Sequence, residues 1–175
     1  MKKKLTLTLG VIAHRKAMRL IALDMAGKDV YTVMPDFGGA WAWFKRSGLH
    51  PAVGVGGNIA DGHYWGTDCP ISEGLLAAFD DWQSKFESAG RRRNKAYPFP
   101  LDWNDYHRRG LELTRRLKAE LGEDICVVYE KPYEDPDRDT DERREVLLRG
   151  GLVALPSRRD LKILFPDKAD VECRA

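Results

Sequence analysis

The residue types best suited to catalytic chemistry are grouped in one short stretch of the sequence. There His63 is followed by Tyr64 and flanked by Asp61 and Asp68. A histidine beside carboxylates and a phenol can move protons, so an acid/base site near His63 and Asp61 is one hypothesis. No second motif supports it, because the sequence contains neither a GxSxG serine nor an HExxH pair. A structural histidine in a loop is the favoured interpretation.

The sequence lacks the residues and spacings that known metal-binding and phosphate-binding motifs require. The alternating run Asp135, Asp137, Asp139 and Asp141 resembles a calcium loop, but both possible registers lack its glycine and its bidentate glutamate. The cysteines and histidines lack zinc spacing, and the glycine-rich segment 54–62 lacks the residues of a phosphate loop. We therefore expect no metal, no organic cofactor and no enzymatic activity.

Composition indicates a folded protein. The chain has 175 residues, of which 43% are hydrophobic, and this suits one α+β domain spanning 1–175. A formal net charge of +2 lacks the basic excess of a dedicated nucleic-acid binder. Cys69, Cys126 and Cys173 form no disulfide framework, and no apolar run reaches the length of a signal peptide or membrane span. We expect a cytoplasmic protein without a membrane partner.

Hydrophobic periodicity predicts an N-terminal antiparallel sheet packed against two main amphipathic helices. The sheet strands are 5–9, 18–25 and 30–34, with a hairpin between the last two. The two helices are 72–88, capped by Ser72, and 102–121, capped by Asp102 and ended by Gly122. The remaining predicted elements are strand 125–129, a mobile acidic loop, helix 140–149, strand 152–155 and a helix from Ser157 to Leu164.

Segment 36–70 is predicted to be mainly irregular and is rich in glycine and aromatic residues. Its rings are Trp41, Trp43, Phe44, Tyr64 and Trp65. They can cover the sheet, which is the commoner role of such residues, or they can anchor a protein partner. Both alternatives remain open at this point.

Two stretches, SEGLLAAFDDWQSKFE (72–87) and LDWNDYHRRGLELTRRLKAELGEDICVVYEK (101–131), resemble immunity proteins of bacterial polymorphic-toxin systems, including those of type VI secretion. The resemblance implies a protein that binds a cognate toxin and covers its active site. Clustered carboxylates can occupy a basic cleft and can speed association, although exposed charges often serve only solubility. The candidate toxin-binding residues are Asp80, Asp81, Glu134, Asp135, Asp137, Asp139, Asp141, Glu142, Trp41, Trp43, Tyr64 and Trp65.

Overall fold

The computed structural model describes residues 14–25, 27–48, 57–58, 71–91 and 99–165. Helix α1 covers 14–25. The elements that follow it are β1 (Val30–Val33), β2 (Ala42–Lys45), β3 (Gly57–Asn58), α2 (Glu73–Arg91), α3 (Trp103–Leu121), β4 (Cys126–Glu130), β5 (Arg143–Val146), β6 (Leu152–Ala154) and α4 (Arg158–Leu164).

The six strands within the described residues form one mixed sheet in the order β3-β2-β1-β4-β5-β6. The predicted α+β class is confirmed. Strands β1 and β4 pair in parallel, with Val30 opposite Cys126, whereas every other neighbouring pair is antiparallel. The sheet is therefore neither wholly antiparallel nor confined to the N-terminal part. The connection from β1 to β4 includes α2 and α3, and a crossover of that length is what allows a parallel pair.

Two predicted elements are wrong. The segment 18–25 is helical rather than a strand, because Met18, Ala22 and Met25 follow helical spacing and the last two are buried. The predicted helix 140–149 is instead strand β5 followed by a turn, because Val146 pairs with Val127 in the sheet. Predicted strand 5–9 lies outside the described residues.

The sheet lies between two pairs of helices. On one face, Val127 and Tyr129 of β4 pack into the core formed with α2 and α3. On the other face, Cys126 and Val128 pack with Met25 of α1. This alternation along β4 sends each successive side chain to the opposite face.

The ends of α3 are as predicted. Asp102 accepts a hydrogen bond from the backbone N–H of Asp105 (3.1 Å), and Gly122 ends the helix with a φ of 81°. At α2, however, the side chain of Ser72 does not cap its own helix. Its hydroxyl and its backbone N–H both donate to the carboxylate of Glu120, at 2.8 and 2.7 Å.

Within the described part of the chain, none of the helices has the length and apolar character needed to cross a bilayer.

Candidate functional site

The segment 131–142, named here the β4–β5 loop, is built from consecutive turns. The backbone N–H groups of Asp135, Arg138 and Thr140 donate to carbonyls three residues earlier in the chain. Where the two strands leave the loop, the N–H of Lys131 donates to the carbonyl of Glu142 (3.0 Å). The loop that was predicted to be mobile therefore has a regular internal hydrogen-bond pattern.

A network of polar contacts joins the loop to α3, and it is called here the first lock: it consists of Asp135, His107, Lys131 and Tyr129. The side chain of Asp135 is buried, and its carboxylate lies 2.8 Å from Nε2 of His107 and 3.3 Å from Nζ of Lys131. Nδ1 of His107 lies 2.7 Å from the hydroxyl of Tyr129 in β4. The lock thus connects the loop, the helix and the strand through one imidazole ring.

The surroundings of His107 favour its neutral form. An Nε2–H donating to the Asp135 carboxylate leaves Nδ1 free to accept from the Tyr129 hydroxyl, which is the tautomer that satisfies both contacts. Burial lowers the pKa of His107, while the hydrogen bond to Asp135 opposes that shift. Both ring nitrogens are occupied by protein groups, so this arrangement positions the loop rather than a substrate.

A second network of ion pairs joins the other end of the loop to α4, and it is called here the second lock: it consists of Arg158, Glu130, Glu142 and Arg143. Arg158 contacts the carboxylates of both Glu130 and Glu142, with 3.7 Å between its Nε and Oε1 of Glu142. The Glu142 carboxylate also accepts the backbone N–H of Arg158 (3.2 Å), and Nε of Arg143 lies 3.2 Å from Oε2 of Glu130. Burial, followed by the nearby Glu130, raises the pKa of Glu142. Removing either arginine would leave a buried carboxylate short of its partner.

Between the two locks, Asp137, Asp139 and Asp141 remain exposed, and Glu134 is half-buried. Asp141 pairs with Arg144 at the start of β5. Three carboxylates therefore extend into solvent from a loop whose two ends are fixed.

The other predicted acidic pair, Asp80 and Asp81, lies on the exposed side of α2. Asp81 forms an ordinary surface ion pair with Lys85, one helical turn later (3.1 Å). This pair belongs to a different element from the β4–β5 loop.

Four of the predicted residues are already engaged within the protein: Asp135, Glu142, Trp41 and Trp43. Asp135 is held inside the first lock, and Trp41 is buried in the core, where it stacks on Phe79 with 4.0 Å between ring centroids. Neither side chain is available to a partner in this structure. Trp43 lies within β2, is half-buried and donates its indole N–H to the carbonyl of Met34 (3.0 Å).

The remaining predicted site residues lie outside the described residues: Tyr64, Trp65, His63 and Asp61. Among the residues that are described, no three His, Cys, Asp or Glu side chains are grouped so that they could hold a metal ion.

Sequence reasoning did not single out His107, Glu130, Arg158 or Tyr133. One available signal was the place of Glu130 at the end of a continuously apolar strand, on the same face of the sheet as Val128. A carboxylate at such a position needs a cationic partner. The chain gives no sign that the partner is Arg158, 28 positions away.

Residues 54–132 match the model of a family described as Serratia CdiI immunity protein-like. The expected resemblance to an immunity protein is confirmed. The matched segment contains α2, α3 and β4, and it therefore includes His107 and Tyr129 of the first lock. It supports a toxin-neutralising immunity function and favours a binding role over an enzymatic one.

The matched family points to contact-dependent inhibition, which is a different system from the type VI secretion suggested by the sequence. No curated protein and no solved structure matches the chain.

Proposed function

We propose that this protein binds a cognate toxin in the bacterial cytoplasm and neutralises it by covering the toxin's active site. The observation that carries the proposal is the match of residues 54–132 to an immunity-protein family. The name of that family favours a toxin delivered by contact-dependent inhibition over one delivered by type VI secretion. In this role the protein acts by complementarity of shape and charge, and it needs no catalytic group.

The β4–β5 loop is the favoured contact surface. Its exposed carboxylates Asp137, Asp139 and Asp141 stand on a backbone fixed at both ends. Carboxylates held in place can enter a basic cleft with a smaller loss of conformational freedom than those on a mobile loop. Asp80 and Asp81 on α2 form the second candidate surface.

The first experiment tests protection. The toxin encoded beside this protein would be expressed with and without it in a sensitive strain, and growth would be measured. Binding would be measured in parallel with the purified toxic domain, carrying an inactivating substitution. We expect growth and a tight complex with the wild-type protein. A wild-type protein that neither binds nor restores growth would refute the proposal.

The second experiment tests the surface with matched charge changes. The triple variant Asp137→Asn, Asp139→Asn, Asp141→Asn removes three exposed loop carboxylates. The control variant Glu73→Gln, Glu123→Gln, Asp124→Asn removes three exposed carboxylates from other elements. Both variants change the net charge equally, so nonspecific attraction changes similarly.

We expect the loop variant to associate with the toxin at least about 10-fold more slowly than the control at low ionic strength, since steering by charge acts mainly on the association rate. Equal rates for the two variants would exclude the loop carboxylates and leave Asp80 and Asp81 as the next candidates. The immunity function itself would be unaffected by that outcome.

A further inference from the structure

Tyr133 is an exposed aromatic residue within the β4–β5 loop. The residue is 60% exposed, which places it among the most exposed large hydrophobic residues of the described chain. A single exposed apolar side chain requires no explanation by itself. The way in which this ring is held distinguishes Tyr133 from the others.

Two guanidinium groups lie near the ring. The Cζ atom of Arg158 is 4.0 Å from the ring centroid, and that of Arg138 is 5.6 Å away. Both distances fall within the range of cation–π attraction. Arg138 also donates from Nη1 to the backbone carbonyl of Tyr133 (3.3 Å). The ring is therefore positioned at the surface although much of it is in contact with solvent.

Arg158 is itself fixed by the second lock. Its guanidinium group contacts Glu130, whose side chain is only 1% exposed, and Glu142. Burying an ion pair is often no better for stability than burying apolar side chains of the same volume. The network does, however, fix the position of the Arg158 guanidinium group, and through it the position of the tyrosine ring.

A fixed tyrosine suits a binding surface. Tyrosine provides a large contact area, it has few rotatable bonds to immobilise, and it is enriched among the residues that dominate binding energy. Because its surroundings already hold the ring, binding costs less conformational entropy than it would for a freely moving side chain.

We propose that Tyr133 is the aromatic anchor of the toxin interface, inserting into a recess on the toxin that is rimmed by lysine or arginine side chains. The sign of that rim follows from the net charge of the β4–β5 loop, whose six carboxylates outnumber its two basic side chains, one of which, Arg138, lies 3.9 Å from Asp139. This inference rests on the proposed function and specifies the contact through which it operates. Arg158 acts as a positioning residue for the ring.

The test compares Tyr133→Ala with Leu20→Ala in binding to the inactivated toxic domain. Leu20 is also 60% exposed, but it lies on α1, far from the loop in the chain, so it controls for loss of exposed apolar area. Thermal unfolding of each variant checks that the fold is intact. Tyr133→Phe serves as a conservative variant that keeps the ring over Arg158.

We expect Tyr133→Ala to raise Kd about 30-fold or more, the loss typical of a hot-spot residue, mainly through faster dissociation. Leu20→Ala should leave Kd within about 3-fold of wild type, because isolated surface changes have small effects, and Tyr133→Phe should retain most of the affinity. The loop variant lacking Asp137 and Asp139 should instead slow association at low salt.

If Tyr133→Ala binds as tightly as Leu20→Ala while the wild-type protein protects cells, the anchor proposal is overturned and the immunity function stands. A result in which Tyr133→Phe loses as much affinity as Tyr133→Ala would also contradict an anchor that depends on the ring. Failure of the wild-type protein to bind the toxin would overturn the proposed function, and the anchor with it.

Discussion

Replacing Gly110 with alanine should destabilise the protein, even though alanine is the better helix former. Gly110 lies in the middle of α3, where the helix crosses the sheet closely. A Cβ atom added there would be 2.6 Å from Cε2 and 2.9 Å from the hydroxyl of Tyr129, and 2.7 Å from Cζ2 of Trp82. Both neighbouring rings are buried, and the Tyr129 hydroxyl is also bonded to His107, so neither has room to move.

The magnitude follows from two opposing effects. Overpacking a well-filled core costs about 1–3 kcal/mol, and three contacts below 3.0 Å place this site at the upper end of that range. The higher helix propensity of alanine offsets roughly 1 kcal/mol of that overpacking cost. We expect a net loss of about 2 kcal/mol in the free energy of unfolding, which lowers Tm by about 4–8 °C in a protein of this size.

The control is Gly74→Ala near the start of α2, where an added Cβ atom meets nothing within 4 Å. That variant should be as stable as wild type or more stable by up to about 1 kcal/mol. Urea unfolding, with equal m-values across the variants, measures both changes. If Gly110→Ala is no less stable than wild type, the close packing of α3 on β4 is not as the structure describes.

Three further predictions concern buried polar groups. Because the pKa of His107 is lowered by burial, the unfolded chain takes up a proton near pH 6.5 that the folded protein resists. As the pH falls below that value, the free energy of unfolding of the wild type should therefore decrease more steeply than that of His107→Gln. The two slopes should differ by at most about 1.4 kcal/mol per pH unit in unfolding measurements. Lys118→Met should cost about 1–3 kcal/mol in urea unfolding, since Nζ donates to the carbonyls of Glu123 and Ile125. Burial, then Glu145, raises the pKa of Cys126 to about 12, so peptide mapping should find this thiol alkylated only after unfolding.

Local sequence signals predicted those elements whose ends and buried faces are formed by neighbouring residues. Helix α3 shows an N-terminal cap, a buried stripe and a C-terminal glycine, and all three occur in the structure. The capping box of Ser157 and Asp160 likewise defines the start of α4. These features depend on residues at most one or two turns apart, so the chain alone reveals them.

Features that depend on distant partners were not predictable in the same way. The segment 18–25 is apolar enough for either a strand or a helix. In the structure it is a helix, and Met25 at its end packs against Val30 and Cys126 on one face of the sheet. Strand β5 owes its conformation to pairing with β4 rather than to its own composition, which includes two arginines and a glutamate. The acidic run appeared solvated because nothing in the sequence places His107 beside Asp135.

The two locks account for how an acidic loop, the proposed contact surface, takes a defined shape. His107 holds the loop from the α3 side of the sheet, and Arg158 holds it from the α4 side. The two contacts share no residue. The family match includes His107 but ends at Pro132, immediately before Tyr133. The residue that supports the loop from α3 therefore lies within the matched segment, and the exposed loop residues proposed here as the contact surface lie beyond it. Such a division suits specific recognition, because exposed side chains can differ on a scaffold that keeps its geometry.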